Sequence, residues 1–251
     1  MMELSQIRQF EAAGFRAWPA AHVHYDGSWA VRTTPNHPAK RLNSINPLDP
    51  SDIGNMESRI AADVERMRQQ GVKPMFRLSP LAPPQLAAHL AASGWERFDD
   101  SLVMAFDLAD TLPAGSGVGV TSNDVDGFVD AYLVLQPGND GLRRGLTGTI
   151  DAIQPEKALL TIVDDGRVVA AGICVRDGAL AGLFNIISAP DVRRRGVGTR
   201  LVRAALDWAA QRGARKAWLQ VELSNGAAIA LYHRFGFQDI YRYHYMRMAG
   251  R

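Results

Sequence analysis

The residues with the clearest chemical meaning form one run, Arg193-Arg194-Arg195-Gly196-Val197-Gly198-Thr199, directly before a segment with helical spacing of its apolar residues. The first amides of a helix lack acceptors within the helix and carry partial positive charge, so they suit a phosphate or pyrophosphate. Glycine lets a ligand approach the main chain, and guanidinium groups bind phosphate oxygens through paired donors. The run therefore predicts an anion site, although a basic helix start with flexible glycines gives the same pattern.

Two common phosphate-binding motifs do not fit this run. A P-loop needs G-x-x-x-x-G-K-[ST], which the sequence lacks. A dinucleotide fingerprint needs a third glycine where Leu201 stands, followed by a βαβ unit that the later pattern does not supply. The run must be interpreted together with the sequence that follows it.

A second motif lies roughly thirty residues further on, at Asn225-Gly226-Ala227-Ala228-Ile229-Ala230-Leu231-Tyr232-His233-Arg234-Phe235-Gly236-Phe237. The two motifs in this order resemble the GNAT (Gcn5-related N-acetyltransferase) superfamily. Its patterns are Q/R-x-x-G-x-G/A after the fourth strand and N-x-x-A-x-x-L-Y-x-x-x-G-F after the next. The resemblance covers Val118 to Met248.

The resemblance implies an α+β fold with a mixed central sheet, an antiparallel meander and flanking helices. It also implies an N-acyltransferase that moves an acetyl or short acyl group (not an aminoacyl group) from acyl-CoA to a primary amine by direct attack. Acetyl-CoA is then a co-substrate, and no metal is expected. The implied cofactor-binding residues are Ile186, Ile187, Ser188, Arg193, Arg194, Arg195, Gly196, Val197, Gly198, Thr199, Asn225 and Tyr232.

The resemblance assigns individual roles within this set. Amides from Arg194 to Thr199 would hold the pyrophosphate, and main-chain groups of Ile186–Ser188 would pair with the pantetheine arm. Asn225 would contact the pantetheine, and Tyr232 would protonate the departing thiolate. Simpler roles remain open, since Asn225 suits a helix cap and Tyr232 suits a packed aromatic.

The general base is less clear. Glu222 alternates with apolar neighbours on a predicted strand, so it could reach the acceptor directly or through water, or be solvated or ion-paired. Asn185 stands where some relatives place a glutamate, and an amide cannot act as that base. His233 and His244 are expected at the surface or rim, and Cys174 is expected as an inert core thiol.

The predicted elements follow an α+β order rather than a regular βαβ alternation. Three β-branched runs are separated by Asp-Gly pairs at 165–166 and 177–178, which predicts a three-stranded antiparallel meander. Helices are predicted over 52–70, from Pro83 to Gly94, over 125–135, within 141–158, over 199–212 and at 226–236. Strands are predicted at GSWAVRTT, LVMAFDL, GVGVTS, ARKAWLQVEL and YRYHYMRM.

The segment 111–119 is rich in Gly, Pro and Ser and is predicted to link two domains. Residues 120–251 would form the catalytic domain, and residues 1–110 a degenerate GNAT-like half without the glycine loop. A helix, a Gly-aromatic pair and a Met-containing strand occur both near residue 100 and at the end of the chain. This echo indicates either a tandem duplication or two common α-turn-β units.

The first half is predicted to form one wall of the acceptor site. We hypothesise that Arg41, Asn43 and Arg77 lie on that wall and recognise an anionic or polar acceptor. The alternative is that these side chains only fix loops by hydrogen bonding.

Composition excludes several classes of protein. With 47% hydrophobic and 22% charged residues and a net charge of +2, disorder and a default nucleic-acid partner are not expected. The single cysteine excludes an internal disulfide. The sequence has no run of about 18 apolar residues, so no membrane span is predicted. We expect a cytoplasmic enzyme acting on a small-molecule or peptide amine, with no nucleic-acid or membrane partner. A homodimer through the final strand or the first half stays open, as do two rival functions: a catalytically silent CoA-binding regulatory module and a nucleic-acid binder.

Overall fold

A computed structural model describes residues 3–108, 118–121, 123–137 and 140–250. Its helices are α1 (Leu4–Ala17), α2 (Met56–Gln69), α3 (Pro84–Ala92), α4 (Val125–Val134), α5 (Arg143–Asp151), α6 (Val197–Gln211) and α7 (Gly226–Phe235). Its strands are β1 (His22–Asp26), β2 (Trp29–Thr33), β3 (Ser44–Pro47), β4 (Met75–Leu78), β5 (Trp95–Asp107), β6 (Gly119–Thr121), β7 (Glu156–Asp164), β8 (Arg167–Asp177), β9 (Leu180–Ser188), β10 (Lys216–Glu222) and β11 (Gln238–Met248). Most of the predicted linker 111–119 lies outside the described residues.

The predicted meander is confirmed as β7, β8 and β9, which pair antiparallel in sequence order. Its first turn places Asp165 and Gly166 at φ 51° and 73°, the two positive angles that a type I′ turn requires. The three strands bury nearly continuous apolar runs, and Cys174 lies fully buried among them. Burial raises the pKa of the Cys174 thiol to about 12, as expected for an inert core thiol.

All the strands join one 11-stranded sheet in the order β1-β2-β3-β4-β11-β5-β10-β9-β8-β7-β6. Pairing is antiparallel except between β3 and β4 and between β9 and β10, which are parallel. The mixed sheet and its flanking helices confirm the predicted α+β class.

The two halves exchange their last strands. β5, the final strand of the first half, pairs antiparallel with both β10 and β11. β11 in turn lies between β5 and β4. β5 and β11 are the Met-containing strands of the two similar sequence segments. β5 follows the short helix α3, and β11 follows the short helix α7. Both edges of β11 are thus paired within the chain, so a dimer cannot form by adding a strand to it.

The order of elements repeats across this centre. In both halves a helix connects two parallel strands, α2 between β3 and β4 and α6 between β9 and β10. The two parallel pairs flank the central β5–β11 pair from opposite sides. Hydrogen bonds therefore cross the boundary that the sequence analysis placed between the domains.

Some elements differ from their predictions. The helix predicted from residue 52 begins at Met56, because the Asp52 carboxylate accepts hydrogen bonds from Ser28 and Arg59 instead of starting a helix. The sequence analysis did not predict α1, β1, β3 or β4. β1 is an exposed edge strand, and β3 and β4 each have only four residues, too few for a clear alternating pattern.

Helix α1 packs on the sheet of the second half. Phe10 lies 6.2 Å from Trp218 between ring centres, in the large core that also contains the meander. A separate smaller core lies under α2 and α3 and contains Trp29 and Phe76. The first half therefore contributes a helix to the surface next to β9 and β10.

A buried ion pair fixes α1 to the sheet. The two Nη atoms of Arg77, on β4, donate to the Glu11 carboxylate at 2.5 and 3.0 Å, and the Tyr241 hydroxyl donates to it at 2.7 Å. Arg77 and Glu11 are each about 3% exposed. Removing one charge of a buried pair leaves the other uncompensated, which costs more than the pair contributes.

We predict that Glu11→Gln lowers the free energy of unfolding by about 3 kcal/mol in urea titrations. Asp191→Asn, which removes the partner of Arg167 in an exposed pair, should have a much smaller effect, because solvent screens exposed pairs. Equal effects of the two substitutions would show that Glu11 is not needed as a counter-ion.

Candidate functional site

The central feature of the candidate site is the parting of two parallel strands. β9 and β10 pair from Leu180 and Lys216 up to Leu183 and Leu219, and no later pair joins them. Beyond this point β9 pairs only with β8 among the described residues. One main-chain edge of β9, from Phe184 to Ser188, is thus left without a strand partner.

A bulge shapes β9 at the same place. The β8–β9 register shifts between Ala171 and Ile173, and Asn185 adopts φ 50°. The residue opposite is Gly172, where an added Cβ would lie 2.6 Å from the Ile186 Cδ1 atom. Glycine at 172 therefore accommodates Ile186, and the bulge redirects the main chain at the point where the strands part.

The arginine run connects the end of β9 to α6. Arg194 and Gly196 have φ of 65° and 78°, and α6 begins at Val197 without a side-chain cap. Arg193, Arg194 and Arg195 are exposed, and none has an ion-pair partner among the described residues. The first amides of α6 and three guanidinium groups thus lie next to the unpaired edge of β9.

Helix α7 lies beside this helix start. Its cap is Asn225, whose Oδ1 accepts from the Ala228 amide at 3.1 Å. The Leu231 side chain is 3.4 Å from the position of a Cβ built on Gly198. Asn225 has the capping role that the sequence analysis left open, and its amide nitrogen remains able to donate.

Tyr232 follows on α7 and is only 7% exposed. Its ring packs against Phe237 at 5.7 Å, and burial raises its pKa to about 12. The phenol is therefore protonated at neutral pH and can donate a proton or a hydrogen bond.

Glu222 lies at the end of β10, where its carboxylate accepts from the Lys40 ammonium at 2.9 Å. Lys40 also donates to Asp99 at 2.6 Å. The ion-paired alternative for Glu222 is therefore what the geometry shows, and Lys40 comes from the first half. The Glu222 side chain is 52% exposed, so water can reach the carboxylate.

A small pocket with an enclosed space of about 10 Å³ lies between α1 and the parting strands. It is lined by Glu11, Gly14, Phe15, Trp18, Arg32, Arg41, Arg77, Phe184 and Gln220. Two of the three predicted acceptor residues, Arg41 and Arg77, meet here. Asn43 does not, because it accepts from the Thr34 amide at 2.7 Å and donates to the His37 carbonyl at 2.6 Å. Asn43 therefore fixes a loop by hydrogen bonding, which is the alternative role that the sequence analysis left open.

Sequence reasoning missed Glu11, Arg32 and Gln220. Arg32 had a usable signal: it is a charged residue following Trp29-Ala30-Val31, in a strand that is buried at every position. Gln220 accepts from Arg41 at 3.3 Å and from the Tyr243 hydroxyl at 2.9 Å. Only the fold could bring Glu11 here, because α1 is distant from these residues along the chain.

The comparisons with known proteins agree with this geometry. A family model described as "Probable histone acetyltransferase Rv0428c C-terminal" matches residues 4–246, across both halves. The chain belongs to the GNAT acetyltransferase family. It is 28% identical over 255 residues to the "Uncharacterized N-acetyltransferase YobR" of Bacillus subtilis, covering 96% of this chain and 98% of that one.

A second relative is the "[Ribosomal protein bS18]-alanine N-acetyltransferase" of Escherichia coli, 44% identical over 92 residues, or 36% of this chain and 62% of that protein. Among solved structures, a GCN5-related N-acetyltransferase from Kribbella flavida has a TM-score of 0.69 at 17% identity, covering 97% and 96% of the two chains. A tandem GNAT protein of the clavulanic acid biosynthesis pathway has a TM-score of 0.67 at 16% identity, covering 94% and 86%. These structures share the GNAT fold.

The residues His233 and His244 do not line the pocket. His233 is exposed and lies 2.8 Å from Asp239, and His244 is partly buried. Within the described ranges, no group of three or more metal-ligating side chains is suited to a metal ion. None of the described helices is long and apolar enough to cross a membrane.

His37 supports the wall of the pocket. The imidazole Nδ1 accepts from the Ala39 amide at 3.1 Å, and the ring meets the edge of Trp18 at 6.4 Å. Burial first, and then the charge of Arg41, lower the pKa of His37 to about 4. Because the unfolded side chain has a pKa near 6.5, protonation favours unfolding between these two values.

We predict that the free energy of unfolding falls from pH 6.5 to pH 4 by about 2 kcal/mol more in the wild type than in His37→Gln. The comparison with His37→Gln is necessary because Asp63 has the opposite effect on stability between pH 6.5 and pH 4. Burial raises the pKa of Asp63 to about 6. Urea titrations at half-unit pH steps measure it. Parallel pH profiles of the two proteins would contradict a buried neutral His37.

Proposed function

We propose that this chain is an acetyl-CoA-dependent N-acetyltransferase that acts on the primary amine of a small molecule or peptide. The observation that carries the proposal is the unpaired edge of β9, which leads from the bulge at Asn185 to the uncapped start of α6. An extended arm with amide groups can pair with such an edge, and a pyrophosphate can accept from the helix amides. Pantetheine diphosphate has both parts in this order.

The residues present fit coenzyme A. Main-chain groups of Ile186–Ser188 would pair with the pantetheine, and the amides from Arg194 to Thr199 would hold the pyrophosphate. Positive φ at Arg194 and Gly196 turns the main chain before the helix. Arg193 and Arg195 add charge, and the free amide nitrogen of Asn225 would contact the pantetheine. Bound here, the cofactor supplies the activated acyl group at the parting of the strands.

In the chemical step the neutral amine attacks the thioester carbonyl, and the C–S bond then breaks. Tyr232 donates its proton to the departing sulfur. A phenol with a pKa of about 12 is a weak acid towards an ordinary thiolate. The sulfur, however, leaves into the same low-dielectric surroundings, where its own pKa is raised by the same desolvation.

Glu222 is our candidate for the group that receives the amine proton, directly or through water. Its carboxylate lies 2.9 Å from the Lys40 ammonium and the side chain is 52% exposed, so water can reach it. Attack on the carbonyl acidifies the amine nitrogen, so the proton leaves after the C–N bond has begun to form.

The first half completes the acceptor site in this proposal. We infer that residues 1–110 are a degenerate GNAT-like half and that residues 120–251 bind the cofactor. The repeated element order supports this division. Arg194 and Gly196 have positive φ before α6, whereas Asn55 is the only such residue just before α2. The first half supplies α1, Lys40 and Arg41 to the wall facing the parted strands.

The names of relatives support an amine acceptor but not one acceptor class. One relative acts on an alanine of ribosomal protein bS18, and another is a mycothiol acetyltransferase of Clavibacter michiganensis, 28% identical over 215 residues. A catalytically silent coenzyme-A-binding module is less well supported, because Tyr232 and the helix start are both intact here.

We predict that acetyl-CoA raises the melting temperature of the protein, and that thiol release follows with at least one member of a panel of primary amines. Mass action at 100 times the dissociation constant stabilises by about 2.7 kcal/mol. A control nucleotide such as ATP should stabilise the protein less, because it lacks the pantetheine arm. The absence of any shift with acetyl-CoA would remove the cofactor assignment, and a shift without turnover would favour the silent module.

We predict that Tyr232→Phe lowers kcat by about 100-fold, since general acid catalysis contributes about that much or more. Its acetyl-CoA dissociation constant, measured by calorimetry, should stay within about twofold. The matched control is Tyr25→Phe, at an exposed tyrosine on β1, which should change neither quantity. Full turnover by Tyr232→Phe would exclude Tyr232 as the acid.

A further inference from the structure

We propose that Arg32 and Arg41 bind a carboxylate of the acceptor, so that the substrate is an amine that also carries a carboxylate group. The proposal rests on the proposed function, and it names the substrate class of the same site. It depends on the charges around the pocket between α1 and the parting strands.

Arg32 is a buried cation without a counter-ion. It is 3% exposed, and no carboxylate lies within 4.0 Å of its guanidinium among the described residues. Its Nη atoms donate to the carbonyls of Arg41 at 2.9 Å and Trp18 at 2.5 Å, while its buried Nε has no partner within the described part of the chain. Burying an unpaired charge is costly, so such groups are normally paired.

Two other arginines of the described residues follow that rule. The buried Arg77 is paired through two hydrogen bonds with Glu11, and the partly buried Arg59 is paired with Asp26 and Asp52. Arg32 instead has the ring of Phe15 at 4.2 Å on one side. A ligand carboxylate would supply the missing counter-ion.

Arg41 adds a second unpaired guanidinium. It donates to the Gln220 amide oxygen at 3.3 Å and lies 5.6 Å from the centre of the Phe184 ring. No ion pair joins it to any described carboxylate. The pocket thus has three guanidinium groups, from Arg32, Arg41 and Arg77, and one carboxylate, from Glu11.

The electrostatic field in the pocket favours an anion. Burial first, and then the charges of Arg77 and Arg41, lower the pKa of Arg32 to about 9. Both causes reflect a site with too much positive charge and too little solvent. An arriving carboxylate offsets both, and a guanidinium presents it with paired donors.

The pocket also lies where an acceptor would need it. Two of its lining residues, Phe184 and Gln220, come directly after the last β9–β10 pair, at Leu183 and Leu219. A carboxylate held there leaves the rest of the acceptor directed towards the parting of the strands. The enclosed space there is about 10 Å³, about the room that one water molecule needs, so the carboxylate would have to enter beside the partly buried Arg41 side chain.

The test uses product mimics of different length, because the spacing between amine and carboxylate is not fixed by the pocket. N-acetylglycine, N-acetyl-β-alanine and N-acetyl-γ-aminobutyrate are titrated by calorimetry in the presence of coenzyme A, each against its neutral carboxamide. We expect at least one acid to bind at least about tenfold more tightly than its amide. Equal binding of every acid and its amide would overturn the proposal.

Variants then assign the preference to the pocket. Arg41→Gln should reduce the acid-to-amide ratio to about 1, and Arg41→Lys should restore part of it. Arg16→Gln, at an exposed arginine of α1 that does not line the pocket, should keep the wild-type ratio. Arg41 is the primary position, because Arg32→Gln also removes hydrogen bonds to two main-chain carbonyls. An acid preference that survives Arg41→Gln would overturn the assignment.

The two proposals fail in different ways. Failure of acetyl-CoA to bind would remove the proposed function, while the acid preference, measured by heat, would still be detectable with the mimics alone. Turnover of neutral amines with the same kcat/KM as their amino-acid counterparts would leave the acetyltransferase intact and remove the carboxylate site.

Discussion

The separation of β9 from β10 is the constraint on which the site depends. Two parallel strands that stayed paired to their ends would satisfy every main-chain group and leave no place for a ligand. Parting after Leu183 and Leu219 leaves an unpaired main-chain edge in a part of the fold that is otherwise closely packed. The bulge opposite Gly172 and the helix start after Gly196 both lie on the path of that edge. In the proposed function, chemistry and affinity for the cofactor therefore both come from one departure from regular pairing.

The exchange of β5 and β11 explains how the parting is held open. A parallel pair that splits needs rigid elements on its outer side, or the strands would close on each other. β10 has that support, because β5 pairs with it along its whole length from Lys216 to Glu222. β5 is in turn paired with β11, and β11 with β4. The first half thus acts as a structural brace for the site in addition to lining it.

The sequence predicted the second half well, for physical reasons that are local. Asp-Gly turns, the glycines before α6 and the cap at Asn225 each act within a few residues, so their patterns are visible without the fold. Arg41 and Arg77 were also predicted near the acceptor. The role of Arg77 with Glu11, and the unpaired state of Arg32, could not be predicted, because both follow from contacts between distant elements. The strand exchange likewise had only the echo between the two α-turn-β units as a signal.

The distribution of charge in the pocket bears on why the first half is retained in a chain whose proposed cofactor loop lies in the second half. A buried pair such as Arg77 with Glu11 contributes little net stability compared with apolar packing of the same volume. Its geometry, however, fixes α1 against β4 and so holds the pocket beside Gln220 and Phe184. Arg32 is more costly still, since no carboxylate among the described residues forms an ion pair with it. A fold selected only for stability would replace it with an apolar side chain, so its presence is best explained by a ligand that supplies the missing charge.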